Sequence, residues 1–411
     1  MKRYGLSAAL LALIIISIGT YYVQASSGSG LPQYRLAKLS GDGKEAAHIQ
    51  LEGYYGSGII SEPLNIGIQG SDYEANKGFL DQFSFRPSPW SHFNSVLAGH
   101  RQFLKGSHQP GGFYENDNLI AFAKTAYELT GNLSADFRIV ISIWDKKTKE
   151  ARSMEVPIAE PKGIKLQWLT IDEVQMSGNQ FKIFTQTQLT AEGTGKTSQL
   201  VGVYTIDEAD GSITSMEELA DDAVESGYGH GINYQVVPTL DPLDASPFVV
   251  YQVHEMKNIQ TGAGSNTSEQ IGEKLMSYSL ASGQFEPVVF SGDGDFQENS
   301  MSFTTAGNQL VRASGSSLGL HIAIYSLDDK KIASDKLITF KELGGQSIDR
   351  LILQQNKLYA LIEISGKPGI AVVDWKSGAV LYQGAVSVEG TPEERELLLS
   401  RLTVINLIPS Q

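Results

Sequence analysis

The chain has no cysteine. Disulfides, thiolate metal sites, a cysteine nucleophile and a lipid-modified cysteine anchor are therefore excluded. Positive charge is also scarce, with 32 basic residues against 46 acidic ones. Lys2 and Arg3 both fall within the first 30 residues, which hold no acid, so the remainder carries 30 basic and 46 acidic side chains, a net −16. Such a surface repels phosphate and anionic headgroups, so no nucleic-acid partner is expected. Cations and basic partners suit it better, and plain solubility accounts for the same charge. Charged residues make up only 19% of the 411 positions, apolar ones 41%, and 42 glycines supply turns. Together these favour an all-β chain of many short strands around a large core.

At the N-terminus, Lys2 and Arg3 precede an apolar run from Leu6 to Ile18, followed by Tyr21 and Tyr22. The 20 largely apolar residues from Tyr4 to Val23 match the ~20 needed to span a bilayer, with the basic pair on the cytoplasmic side. Residues 1–25 thus read as a signal anchor or signal peptide, and SSGSG at 26–30 as a flexible tether. Residues 31–411 are the expected extracytoplasmic body. Retention makes this a single-pass membrane protein, whereas cleavage after Val23-Gln24-Ala25 makes it a secreted one. An exported chain without cysteine fits a bacterial envelope.

One phrase recurs: alternating residues, a polar turn, alternating residues. It is written VYTIDEADGSIT from Val203, MSYSLASGQFEPV from Met276, LHIAIYSLDDKKIASDKL from Leu320 and IAVVDWKSGAVLY from Ile370. Aligning these with the stretch ending DKKTKE gives shared positions Trp144, Ile206, Leu280, Leu327 and Trp375, at intervals of 62, 74, 47 and 48 residues. Two residues earlier stand Ser142, Tyr204, Tyr278, Tyr325 and Val373. The shorter intervals match a four-stranded propeller blade of ~40 to 50 residues. Companion stretches at Phe181, Phe248, Asn308 and Asn356 supply further strands of each blade. LAKLSGDGKEAAHIQL, Leu36 to Leu51, reads as another outer hairpin, and LTVINLI at Leu402 as a strand closing the ring on the first blade. A propeller of about six or seven four-stranded blades follows. The competing arrangement has two all-β domains, with residues 31–117 separate.

VVDWKSGAVLY, Val372 to Tyr382, resembles the repeat of quinoprotein-type (PQQ-like) β-propellers, and YSLASGQF is a weaker copy. The resemblance concerns the scaffold only. Quinone enzymes of that superfamily pack a vicinal disulfide on the cofactor, which this chain does not have, so the resemblance implies the non-catalytic branch and no cofactor.

Two stretches carry helix-start signals: SMEELADDAVES with Ser215 and Glu218 as a capping box, and TPEERELLLSRL with Thr391, Glu394 and Pro392. Three catalytic patterns fail on context. AEGTGKTS at Ala191 has no early glycine of a phosphate loop, and GSSLG around Ser317 is followed by a strand where a nucleophile elbow needs a helix. SGDGDFQENS places Asp293, Asp295 and Glu298 as weak oxygen ligands for calcium without the spacing of a calcium loop.

The irregular segment Arg86 to Asn118 is aromatic and histidine-rich, with Ser91 capping a short helix over Phe93, Val96, Leu97 and Leu104. Its candidate ligand-binding groups are Trp90, His92, His100, His108, Tyr114, Glu115 and Asp117. The histidines recur every eight residues, about 80° apart on a helix, so they do not align as metal ligands. A second cluster offers Tyr228, His230 and Tyr234, followed by Asp241 and Asp244. No catalytic residue stands out. The expected function is a membrane-tethered binding or assembly module of the envelope that takes a protein or envelope polymer. The alternative is an envelope carbohydrate hydrolase using paired carboxylates.

Overall fold

The computed structural model describes residues 31–57, 60–77, 110–130, 133–160, 162–191, 197–219, 230–240, 245–261, 265–290, 301–354 and 356–409, with short pieces at 13–14, 16–17, 19, 95–96, 99–100, 103 and 243. Among these residues no helix is long and apolar enough to cross a membrane. Most of the N-terminal run lies outside them.

The body is all β and comprises six antiparallel sheets among the described residues. The first contains β2 (Ile49–Ser57), β3 (Ile60–Ile66) and β4 (Ser71–Tyr73), with the final strand β25 (Leu402–Pro409) beside β2. The second runs β5 (Phe113–Glu115), β6 (Leu119–Thr130), β7 (Leu133–Asp145) and β8 (Ala151–Pro157). The third is β9 (Ile164–Ser177), β10 (Gln180–Ala191), β11 (Thr197–Asp207) and β12 (Ile213–Glu218). The fourth is β13 (His230–Val236), β14 (Phe248–Thr261), β15 (Ser265–Ser279) and β16 (Phe285–Val288). The fifth is β17 (Met301–Ala306), β18 (Gln309–Ser316), β19 (Gly319–Ser326) and β20 (Lys331–Thr339). The sixth is β21 (Ile348–Gln354), β22 (Lys357–Ile364), β23 (Lys367–Asp374) and β24 (Val380–Val388), with β1 (Tyr34–Gly41) added outside β24.

These sheets stack as propeller blades because none buries both faces alone. Separate apolar clusters join the second sheet to the third, the third to the fourth, the fourth to the fifth, the fifth to the sixth, and the sixth back to the first. First strands lie beside one another, β5 by β9, β17 by β21 and β21 by β25. The seam is sewn twice. β25 pairs with β2, as LTVINLI leads one to expect, and β1 pairs with β24. Leu36 N donates to Gly67 O at 3.0 Å and Tyr34 N to Ser71 Oγ at 3.1 Å, tying β1 to the first sheet as well.

That seam corrects the reading of Leu36 to Leu51 as a hairpin. β1 and β2 flank a 3-10 turn at Gly43–Ala46 and enter different sheets, where distant strands offer them apolar partners. Nor do residues 31–117 stand apart, since their strands bond to β24, β25 and β6.

All five repeated phrases form hairpins between the third and fourth strands of their sheets. The structure shifts their alignment by two residues at two sites. The equivalent position is the polar residue that closes the third strand: Asp145, Asp207, Ser279, Ser326 and Asp374. Its side chain accepts from a backbone N–H two or three residues on. Four residues after it stands Lys149, Gly211, Gly283, Lys330 or Gly378, each with φ between 53° and 81°. Trp144 and Ile206 thus precede this position, whereas Leu280, Leu327 and Trp375 follow it.

The two helix expectations part company. TPEERELLLSRL forms α2 (Pro392–Ser400), with Thr391 and Glu394 in a reciprocal capping box, and α1 is a single turn at Phe340–Leu343. SMEELADDAVES does not start a helix at Ser215. Residues 213–218 are β12, held by pairing with β11 that outweighs a local cap. Ser317 lies in the tight turn between β18 and β19, as its context requires.

Candidate functional site

In the long strand β9 the sequence LTIDEVQ interrupts an apolar run with two consecutive acids, Asp172 and Glu173. Regular alternation would send them to opposite faces. A β-bulge changes this: Phe184 of β10 faces Glu173 and Thr185 faces Ile171, leaving Asp172 with no partner residue. The extra residue lets both carboxyls face the fourth sheet. Gln186 confirms the direction, donating from Nε2 to Asp172 Oδ2 at 2.6 Å and to Tyr234 O of β13 at 2.9 Å.

Around them is a chain of amides. Gln175 Nε2 donates to Glu173 Oε1 at 2.8 Å, Gln175 Oε1 accepts from Ser246 N at 3.0 Å, and Gln199 Nε2 donates to Gln186 Oε1 at 2.8 Å. Gly111 permits a close approach on the other side, because a Cβ there would stand 2.1 Å from Asp172 O. Burial raises Glu173 to about 8, countered by Gln175, and Asp172 to about 6, countered by Gln186. At neutral pH one carboxyl therefore holds a proton while its neighbour is mostly ionised.

Between β13 and β14, Thr239, Leu243 and Ser246 lie at this end of the sheets. Thr239 bridges Thr305 of β17, Leu243 O accepts from Glu115 N of β5 at 3.2 Å, and Ser246 N reaches Gln175 of β9. Through these three residues the fourth sheet is tied to the fifth, the second and the third. They also bring together the two clusters singled out in the sequence. Leu243 packs with Val96, Phe113, Ile120 and Phe122, and His100 lies 5.0 Å from the ring of Trp144.

The remaining candidates sort by what they touch. Tyr114 is buried, and its hydroxyl accepts from Asn116 Nδ2 at 3.4 Å. Glu115 is paired with Lys146 at 2.5 Å, and Asp117 is exposed at the β5–β6 turn. Tyr234 is buried edge-on against Tyr251, with ring centroids 6.3 Å apart. His230 opens β13. Trp90, His92, His108, Tyr228, Asp241, Asp244, Asp293, Asp295 and Glu298 lie outside the described residues. Among those described, no group of three or more His, Cys, Asp or Glu is placed to hold a metal. A separate cavity of about 290 Å³ at the seam is lined by Gln33, Gln50 and residues 67–72. Its best-placed hydroxyl, Ser71, is already used by Tyr34 N and Gln33.

No family model matches the chain, and no curated protein does. Solved structures do. Dipeptidyl peptidase 4 of Porphyromonas gingivalis is 10% identical over 65% of this chain and 38% of its own length, with a TM-score of 0.32. The Dos1 propeller is 11% identical over 69% and 74%, at 0.28. Glutaminyl cyclase of Myxococcus xanthus is 13% identical over 53% and 88%, at 0.22. The chain spans well under half the length of that peptidase. At TM-scores below 0.5 none of these likenesses assigns it an activity, and the propeller-like architecture rests on its own sheets and seam.

Proposed function

We propose that this chain is a binding or assembly module of the bacterial cell envelope, a non-catalytic propeller related to the quinoprotein type. Its body is held outside the cytoplasm by the N-terminal apolar segment, and its partner is a protein or an envelope polymer. The observation supporting this reading is the meeting of Leu243 with Glu115 of β5 and with Val96, Phe103 and Trp144 at one end of the second sheet. Binding groups concentrate on the connections of a rigid scaffold.

Strand order makes the test specific. The β5–β6 turn with Asp117 lies at the same end as Leu243, while the β18–β19 turn with exposed Leu318 lies at the opposite end. A photo-crosslinking residue replacing Asp117 in the full chain should capture an envelope protein or polymer in cells, and the same residue replacing Leu318 should not. Protease added outside should digest the body. Equal capture at both positions, or a body protected inside the cytoplasm, would overturn the reading.

The hydrolase alternative has one observation in its favour, the unequal proton affinities of Asp172 and Glu173, which an acid and a base require. Glu173 is only 8% exposed, however, and closed to a polymer chain. Cleavage of cell-wall polymer by the purified body, abolished in Asp172→Asn, would favour the hydrolase.

A further inference from the structure

Asp172 and Glu173 on one face of a buried bulge can both be ionised only beside a counter-charge, which neither the amides around them nor the apolar packing supplies. Gln186 acts on Asp172, and Gln175 and Asp172 act on Glu173; no cationic group is among these for the described residues. Lys182, two residues from Phe184 on the same face of β10, is occupied elsewhere. Its Nζ donates to Thr205 Oγ1 at 2.8 Å and lies 3.6 Å from Glu217, which in turn accepts from Tyr278 OH at 2.9 Å.

A second observation points into the same place. Tyr251 of β14 is fully buried, and its hydroxyl has no hydrogen-bond partner among the described residues. It stands within electrostatic reach of both Asp172 and Glu173 and 6.5 Å from the ring of Phe184, the residue opposite Glu173. A buried hydroxyl left unpaired is destabilising, so its persistence beside two acids calls for a ligand that takes its oxygen lone pair.

We propose that Asp172, Glu173 and Tyr251 form a calcium site between the third and fourth sheets, completed by neutral oxygens such as the second lone pairs of the Gln175 and Gln186 carbonyls. Binding displaces the proton that Glu173 holds, and the two carboxylates then balance a divalent charge. Every candidate ligand is a hard oxygen, and calcium accepts such mixed carboxylate, amide and hydroxyl sets with flexible geometry. Magnesium, which keeps several waters in a strict octahedron, suits this buried, amide-lined place poorly. Half-buried Asp172 is the side by which an ion arrives. The ion would pin the bulge of β9 to β14, joining the third and fourth sheets.

The test uses the full chain in detergent after treatment with a chelator. Calcium should raise the thermal midpoint, magnesium at the same concentration should not, and terbium should show tyrosine-sensitised emission that calcium displaces. Glu173→Gln keeps the hydrogen bond from Gln175 and should fold, yet should weaken terbium binding by about tenfold or more, as ligand charge sets affinity at such sites. Tyr251→Phe should fold and lose most of the sensitised emission. A midpoint indifferent to calcium, an equal response to magnesium, or terbium emission unchanged in both variants would overturn the proposal. These outcomes are independent of whether the Asp117 probe finds an envelope partner.

Discussion

Glu173 shows how much a single residue's surroundings decide. Its carboxyl, near 4.5 when free, is raised to about 8 by burial, and Asp172 is raised from 3.8 to about 6. The folded chain therefore holds protons that the unfolded chain has released, so the stability this contributes is fully present below about pH 4 and is lost as pH rises through 6 and then 8. With divalent ions chelated, the urea midpoint should fall between about pH 5 and pH 8, and Glu173→Gln, neutral throughout, should flatten that decline. Equal slopes in the two proteins would contradict it. Gly111 makes a steric prediction at the same place. A methyl group there meets the backbone of Asp172, so Gly111→Ala should lower stability by about 1–3 kcal/mol in denaturant unfolding, whereas an unchanged midpoint would mean that the contact relaxes freely. None of this was legible from the residue string. Alternation alone separates Asp172 from Glu173, and the bulge that unites them exists only in the pairing of β9 with β10. The one local signal was two adjacent acids inside an apolar strand.

At the scale of the element, the repeated hairpins were legible because their information is local. An alternating strand, an Asp or Ser that accepts from the turn's own backbone, and a residue with positive φ four positions later suffice to write one. Gly fills that last position in three of the five turns and Lys in two, Lys149 and Lys330. A side chain in the left-handed region is strained where glycine is not. Lys149→Gly should therefore raise stability by a few tenths of a kcal/mol to about 1 kcal/mol, a gain readable in the thermal midpoint and contradicted by a loss. The same local logic failed where pairing is non-local. Ser215 and Glu218 spell a helix cap, yet β11 draws them into β12. Leu36 to Leu51 spells a hairpin, yet β24 and β25 outcompete its own two arms, since each offers a ready-made edge and an apolar cluster to cover.

For the whole molecule, six sheets that cannot stand alone stack on one another from the second through the sixth and on to the first, and both chain ends are used at the junction of the sixth with the first. β1 reaches the outer edge of the last sheet and β25 the first position of the first, so Tyr34 OH donates to Leu398 O at 2.8 Å across nearly the full length of the chain. Deleting residues 402–411 strips a strand carrying buried Leu402 and Leu407 and exposes the edge of β2, so the body should lose its cooperative melt. Deleting residues 26–30 should leave the melt unchanged. A C-terminal truncation that melts like the parent would mean that β25 does not close the structure.

The most direct test of the closed seam exploits the absence of native cysteine. Arg35 faces Ser387 in the β1–β24 ladder, and Glu52 faces Asn406 in the β2–β25 ladder. Facing partners lie about 4.5–5.5 Å apart at Cα, inside the range a disulfide spans. Paired cysteines at Arg35 and Ser387, and separately at Glu52 and Asn406, should oxidise within the monomer, with mass spectrometry of the monomeric fraction recovering each linked peptide pair. Monomers in which either pair stays reduced, or links found only between molecules, would contradict the seam.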